Sequence, residues 1–136
     1  MLIFTLSILP ISINRLFEMS PRGWLTLSQA GKKFVEYAKT EIIQQIKISQ
    51  YQKELLTLTD MVPLRLTIEF HSPNWITADG RIAVKALDNL PRAAQEALTA
   101  AIKTYNTEYS DTCIVEMVIK KKISEKIETV LLLEKM

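Results

Sequence analysis

The stretch LRLTIEFH, Leu64 to His71, alternates without a break. Leu64, Leu66, Ile68 and Phe70 fall on one side of an extended chain; Arg65, Thr67, Glu69 and His71 fall on the other. Side chains of a strand point to opposite faces in turn, so this pattern predicts a strand with one buried and one half-exposed face. What flanks it decides the fold class, because a strand of this kind needs a layer to cover its apolar side.

Upstream, apolar residues recur at helical spacing. Phe34, Ala38, Ile42 and Ile46, with Leu55 further on, predict a long helix over 29–56. Ser28 stands where an N-cap is needed. Lys32, Lys33, Glu36, Lys39 and Glu41 form its solvated face. Before it, Trp24 to Leu27 predicts a short strand, 11–23 an irregular loop turning at Pro21 and Gly23, and 2–8 a first strand that Pro10 stops. The opening MLIFTLSILPISI is apolar but has no basic leader region, no small-residue cleavage site and too little length to span a bilayer. A strand, a cytoplasmic location and no membrane association are expected.

Downstream, 73–87 predicts a loop with a short hairpin at Asp79-Gly80. A second helix is expected over 90–105, with Leu90, Ala94, Ala97, Ala101 and Tyr105 on its buried stripe. The alanines imply close packing. Strands are expected over 113–121 and 127–134, joined as a hairpin at Ser124-Glu125. The order is strand, long helix, strand, helix, strand, strand. It predicts one α+β domain over 1–136, a mixed β-sheet packed by two main helices.

At 136 residues the chain is long enough for a true core, and 48% apolar against 24% charged residues describes a globular domain. A net charge of +2 permits a nucleic-acid partner without arguing for one. One cysteine, Cys113, and one histidine, His71, exclude a disulfide framework and a Cys/His zinc site within the chain. Any metal would be held by carboxylates, which suits a hard cation. No phosphate-binding glycine loop, dinucleotide fingerprint or nucleophile elbow is present. His71, on the polar face of its strand, reads as a hydrogen-bonded structural residue.

Asp88-Asn89 has two readings. One of the pair caps the second helix, with Pro91 in the first turn and Arg92 one turn from Asp88. Alternatively, a carboxylate ahead of a helix N-terminus stays ionised and holds a divalent cation. A second acid, Asp111, opens a strand. The second helix carries the chain about 22–24 Å away from Asp88. Residues 106–111 cover about 20 Å if extended. The two carboxylates therefore meet only if that loop runs back beside the helix. Basic residues gather at Lys120-Lys121-Lys122 with Lys126, and at Arg15, Arg22, Arg81, Lys85 and Arg92. The lysine run reads as protection of a sheet edge. Trp24 and Trp75 can stack on bases or pack at a rim.

In order along the chain, LPISINRLF, SPRGWLTLSQAGKKFVEYA, LRLTIEFHSPN, ALDNLPRAAQEAL and YSDTCIVEMVIKK resemble five successive segments of the RusA-type Holliday junction resolvases. These are homodimeric crossover junction endodeoxyribonucleases. The resemblance covers nearly the whole chain. It implies a homodimer that nicks four-way DNA junctions in recombination and repair, using Mg²⁺ or Mn²⁺. On that resemblance Asp88 and Asp111 are metal ligands. Arg92 stands at the position of an assisting lysine, and Lys85 contacts phosphate. The arginines Arg15, Arg22 and Arg81 would grip DNA arms. Two positions depart from the pattern: Ala86 stands for the first signature aspartate and Ser110 for the first acid of the later pair. With Ala86 in place, the resemblance implies either impaired cleavage, a replacement ligand from Asp79 or Glu108, or a junction binder that does not cut.

Overall fold

A computed structural model describes residues 1–76, 78–81 and 90–136. Lys85, Ala86, Asp88 and Asn89 lie outside the described residues. Among the described residues the strands are β1 (Leu2–Leu6), β2 (Phe17–Met19), β3 (Leu25–Leu27), β4 (Leu64–Ser72), β5 (Ile114–Ile123) and β6 (Glu128–Lys135). The helices are α1 (Ile13–Leu16), α2 (Gln29–Ser49), α3 (Gln52–Leu56) and α4 (Pro91–Lys103).

The main sheet runs β1-β6-β4-β5. β4 is parallel to β5 and antiparallel to β6, and β1 is antiparallel to β6. The sheet is therefore mixed, as the sequence implies, but its last two strands are not a hairpin. β4 lies between them, and residues 124–127 pass over its end, where Ser124 N–H donates to Ser72 O. A two-residue turn between β-rich runs is the usual mark of a hairpin. Here the stronger demand is on β4, whose backbone N–H and C=O groups are paired along both edges, by β5 on one side and β6 on the other. A parallel neighbour requires a crossover, which the segment carrying α4 supplies.

Register places Phe4, Leu131, Ile68 and Ile119 in one row across the sheet. Leu2, Leu133, Leu66 and Met117 form the next. These rows share the face on which the helices pack. Phe4, Leu66, Ile68 and Leu131 are fully buried there, together with Ile42 and Ile46 of α2 and Leu98 and Ile102 of α4. The α4 alanines Ala93, Ala94, Ala97 and Ala101 are also fully buried and let α2 and α4 lie against each other. The opposite face carries Arg65, Thr67, Glu69 and His71, flanked by Leu132 and Val130 of β6 and Val118 of β5. There Arg65 reaches Glu116 at 3.0 Å and Glu134 at 3.3 Å, one acid on each neighbouring strand.

The long helix is shorter than its apolar spacing suggests. Ser28 caps it as expected, its Oγ accepting from Gly31 N–H at 2.9 Å. Gln50 then turns left-handed, with φ 58° and ψ 43°, and ends it. α3 restarts in a new direction that buries Leu55. At β1, the Gln45 side-chain amide accepts from Thr5 N–H and donates to Thr5 O, both at 2.7 Å. A glutamine thus takes the place of a neighbouring strand along the sheet's outer edge. Residues 11–23, expected to be irregular, contain α1 and β2, and β2 pairs with β3 in a small hairpin. Among the described residues no helix is long and apolar enough to cross a membrane.

Candidate functional site

The chain between α4 and β5 is fixed at three points. Asn106 is buried, and its Nδ2 donates to Leu55 O at 2.9 Å and Leu58 O at 2.8 Å. Its Oδ1 accepts from Glu108 N–H. Tyr109 is 1% exposed. Burial, then the charges of Asp111 and Cys113, push its hydroxyl well above the ordinary range, so it stays protonated. Ser110 Oγ accepts from Thr112 N–H and caps a single 3₁₀ turn, Asp111–Cys113. Ser110, where the family pattern has an acid, is thereby a capping residue. Buried Cys113 points its Sγ at Thr59 O, 3.4 Å away.

The loop delivers Asp111 beside the first turn of α4. Arg92 Nη1 lies 3.9 Å from Asp111 Oδ2, while Nη2 lies 2.8 Å from Glu96 Oε1 one turn on. The chain between α4 and β5 therefore returns Asp111 to the start of α4, across a separation of 19 residues by numbering. The shorter contact ties Arg92 mainly to Glu96. The guanidinium stands next to the Asp111 carboxylate, whose side chain is 34% exposed. This is a mixed-charge surface at a helix start, with a cationic donor fork and an accessible carboxylate. It suits a phosphate and a cation together.

α4 begins at Pro91, with Leu90 in the N-cap position and no side-chain capping bond there. Asp88, Asn89 and Lys85, and with them the expected convergence of Asp88 and Asp111, lie outside the described residues; Asp111 approaches Arg92 instead. Arg15 and Arg22 are exposed, on α1 and in the β2–β3 turn. Arg81 is exposed and pairs with Asp79 at 3.3 Å, beside the turn at Gly80. Glu108 is exposed on the return loop. Among the described residues no three His, Cys, Asp or Glu side chains gather as a metal-binding group.

The two tryptophans separate cleanly. Trp75 is buried, its Nε1 donates to Phe70 O at 2.8 Å, and Lys121 Nζ sits 5.0 Å above its ring. Trp24 is 69% exposed. His71 Nε2 lies 3.0 Å from Glu69 Oε1, its same-face neighbour two residues back on the strand, and Lys122 Nζ lies 3.6 Å from Glu69 Oε2. Glu96 was not signalled as a site residue. The spacing Arg92-x-x-x-Glu96 on a helix was the available sign. No protein-family model matches the chain, and a search of curated proteins finds no match.

Proposed function

We propose that this chain is a RusA-like crossover junction endodeoxyribonuclease. It acts on four-way DNA junctions in recombination and repair as a cytoplasmic homodimer dependent on Mg²⁺ or Mn²⁺. The observation that supports this best is the approach of Asp111 to Arg92. Two segments of the resemblance that are far apart in sequence meet at one surface.

The Asp111 carboxylate fits a hard divalent cation by donor chemistry, since it offers accessible oxygens while Arg92 is held more tightly by Glu96. Asp88 and Asp111 would hold the ion. When bound, such an ion acidifies water and offsets charge on a phosphodiester. The chain's own part is positioning. Glu96 orients the Arg92 fork, which presents fixed donors to a phosphate oxygen and, being an arginine, keeps its proton. Lys85, Arg15, Arg22 and Arg81 supply cationic contacts along the arms, and these make binding steeply salt-dependent.

A second reading, junction binding without cutting, is favoured by Ala86, which removes a carboxylate from the signature. An end-labelled four-way junction incubated with Mg²⁺ or Mn²⁺ separates the two. Symmetric nicks that depend on the ion and vanish in Asp111→Asn support the nuclease. Tight, salt-sensitive binding without nicks, with cleavage gained in Ala86→Asp, supports a binder derived from one. No preference for a junction over a linear duplex defeats both.

A further inference from the structure

The β2–β3 hairpin carries an apolar stripe from the core into solvent. Phe17 faces Leu27 at its base, and both pack against the core; Met19 faces Leu25 further out on the same side. Met19 is 67% exposed and Leu25 65% exposed, and Trp24 follows at the tip. The tip is ordered by its backbone. Ser20 N–H donates to Trp24 O at 2.7 Å, Gly23 N–H to Ser20 O at 2.9 Å, and Trp24 N–H to Ser20 Oγ at 3.0 Å. Gly23 supplies the positive φ of 83° that this turn requires. The base is anchored as well: Ser28 N–H donates to Leu16 O at 2.8 Å, and Ser28 Oγ donates to Arg15 O.

Exposed apolar side chains held on an ordered hairpin mark a contact site. Its neighbours identify the partner. Arg22 is in the same turn as Trp24, and Arg15 is on α1 at the hairpin's root; both are exposed. The acid of the segment, Glu18, faces Thr26 across the ladder. α1 packs against α4, the helix whose first turn holds Arg92. An indole beside guanidinium groups is the combination that stacks on a nucleobase while neutralising its phosphates.

We infer that Trp24 is a wedge residue that stacks on an unpaired base at the branch point of a DNA junction, with Arg22 and Arg15 on the adjoining phosphates. This rests on the branched-DNA reading above and adds the residue that senses the branch. The test measures binding of a fluorescent four-way junction and of a linear duplex to the full chain. Trp24→Ala is expected to weaken junction binding roughly tenfold to a hundredfold, the range for loss of one base–aromatic stack. Duplex binding should stay within about twofold, since phosphate contacts supply it. Trp24→Phe should recover most of the loss and Trp24→Leu little. Because Trp75 is buried, emission from Trp24 is read as the wild-type spectrum minus that of Trp24→Phe, and it should be quenched by the junction.

Equal junction affinity in wild type and Trp24→Ala overturns the wedge while leaving the branched-DNA reading intact. So does full rescue by Trp24→Leu, or a concentration-dependent change in the DNA-free sedimentation that Trp24→Ala abolishes, which would assign the stripe to a second copy. Failure of the wild type to bind junctions at all overturns both.

Discussion

Gly31 lies in the first turn of α2, where Leu16 O crosses it; a β-carbon there would sit 2.3 Å from that oxygen. Replacing an exposed helical glycine with alanine usually stabilises by roughly 0.5–1 kcal/mol. Here the sign should reverse, and Gly31→Ala should cost about 1–3 kcal/mol, because backbone must shift. A lower urea midpoint at unchanged slope would show it. Asn106 is a comparable point. Asn106→Ala leaves Leu55 O and Leu58 O without their buried donor and should cost about 1–3 kcal/mol, with Asp111 losing its fixed approach to Arg92. The readout is urea unfolding together with junction affinity. Glu69 sets an acid limit. Burial pushes its carboxyl up, but His71, Lys122 and Lys120 together outweigh this and hold it below the ordinary value of 4.5. A carboxyl depressed by folding stabilises above its unfolded pKa, and that contribution is lost as pH falls through the folded value. The stability gap between wild type and Glu69→Gln should therefore be full at pH 7 and close below about pH 4. Unfolding curves across pH would check it. None of these three roles was legible in the sequence. Gly31 and Asn106 depend on the distant backbone atoms they meet, and Glu69 on lysines of the neighbouring strand β5.

Elements were read more readily than their pairing. The alternation of 64–71 and the alanine-rich stripe of 90–105 survive folding almost unchanged, because each reports a single environment along one element. Pairing depends on competition between elements, and the β5–β6 hairpin failed on that account. The β2–β3 hairpin went unread because three-residue strands carry too few alternations to register. The stop at Gln50 also has no sequence mark of the usual kind, since glycine or asparagine is the common left-handed residue. The α2–α4 contact, by contrast, is written in residue size. Ala97→Leu places a branched side chain where the two helices touch and should cost about 1–3 kcal/mol, read as a fall in thermal midpoint. The same change on the outer face of α4, at Thr99, should be nearly neutral.

As a whole molecule, the domain is a sheet with a helical layer on one side, and its chemistry-bearing residues come together only through long-range closure. Arg92 and Asp111 were each visible as candidates; their approach was not, because it rests on a loop whose direction is set by Asn106. The sheet's two ends differ. Among the described residues β5 is one outer strand, and its lysines discourage another chain from adding there. At β1 the amide of Gln45 already occupies the hydrogen-bonding positions of Thr5. At Thr5 that edge is closed by imitation, and just beyond the strand the Glu41 carboxylate accepts from Ser7 N–H at 3.1 Å. Gln45→Ala would turn a terminated sheet into a template. At high concentration such a variant should seed elongated, thioflavin-positive polymers while the parent chain stays dispersed.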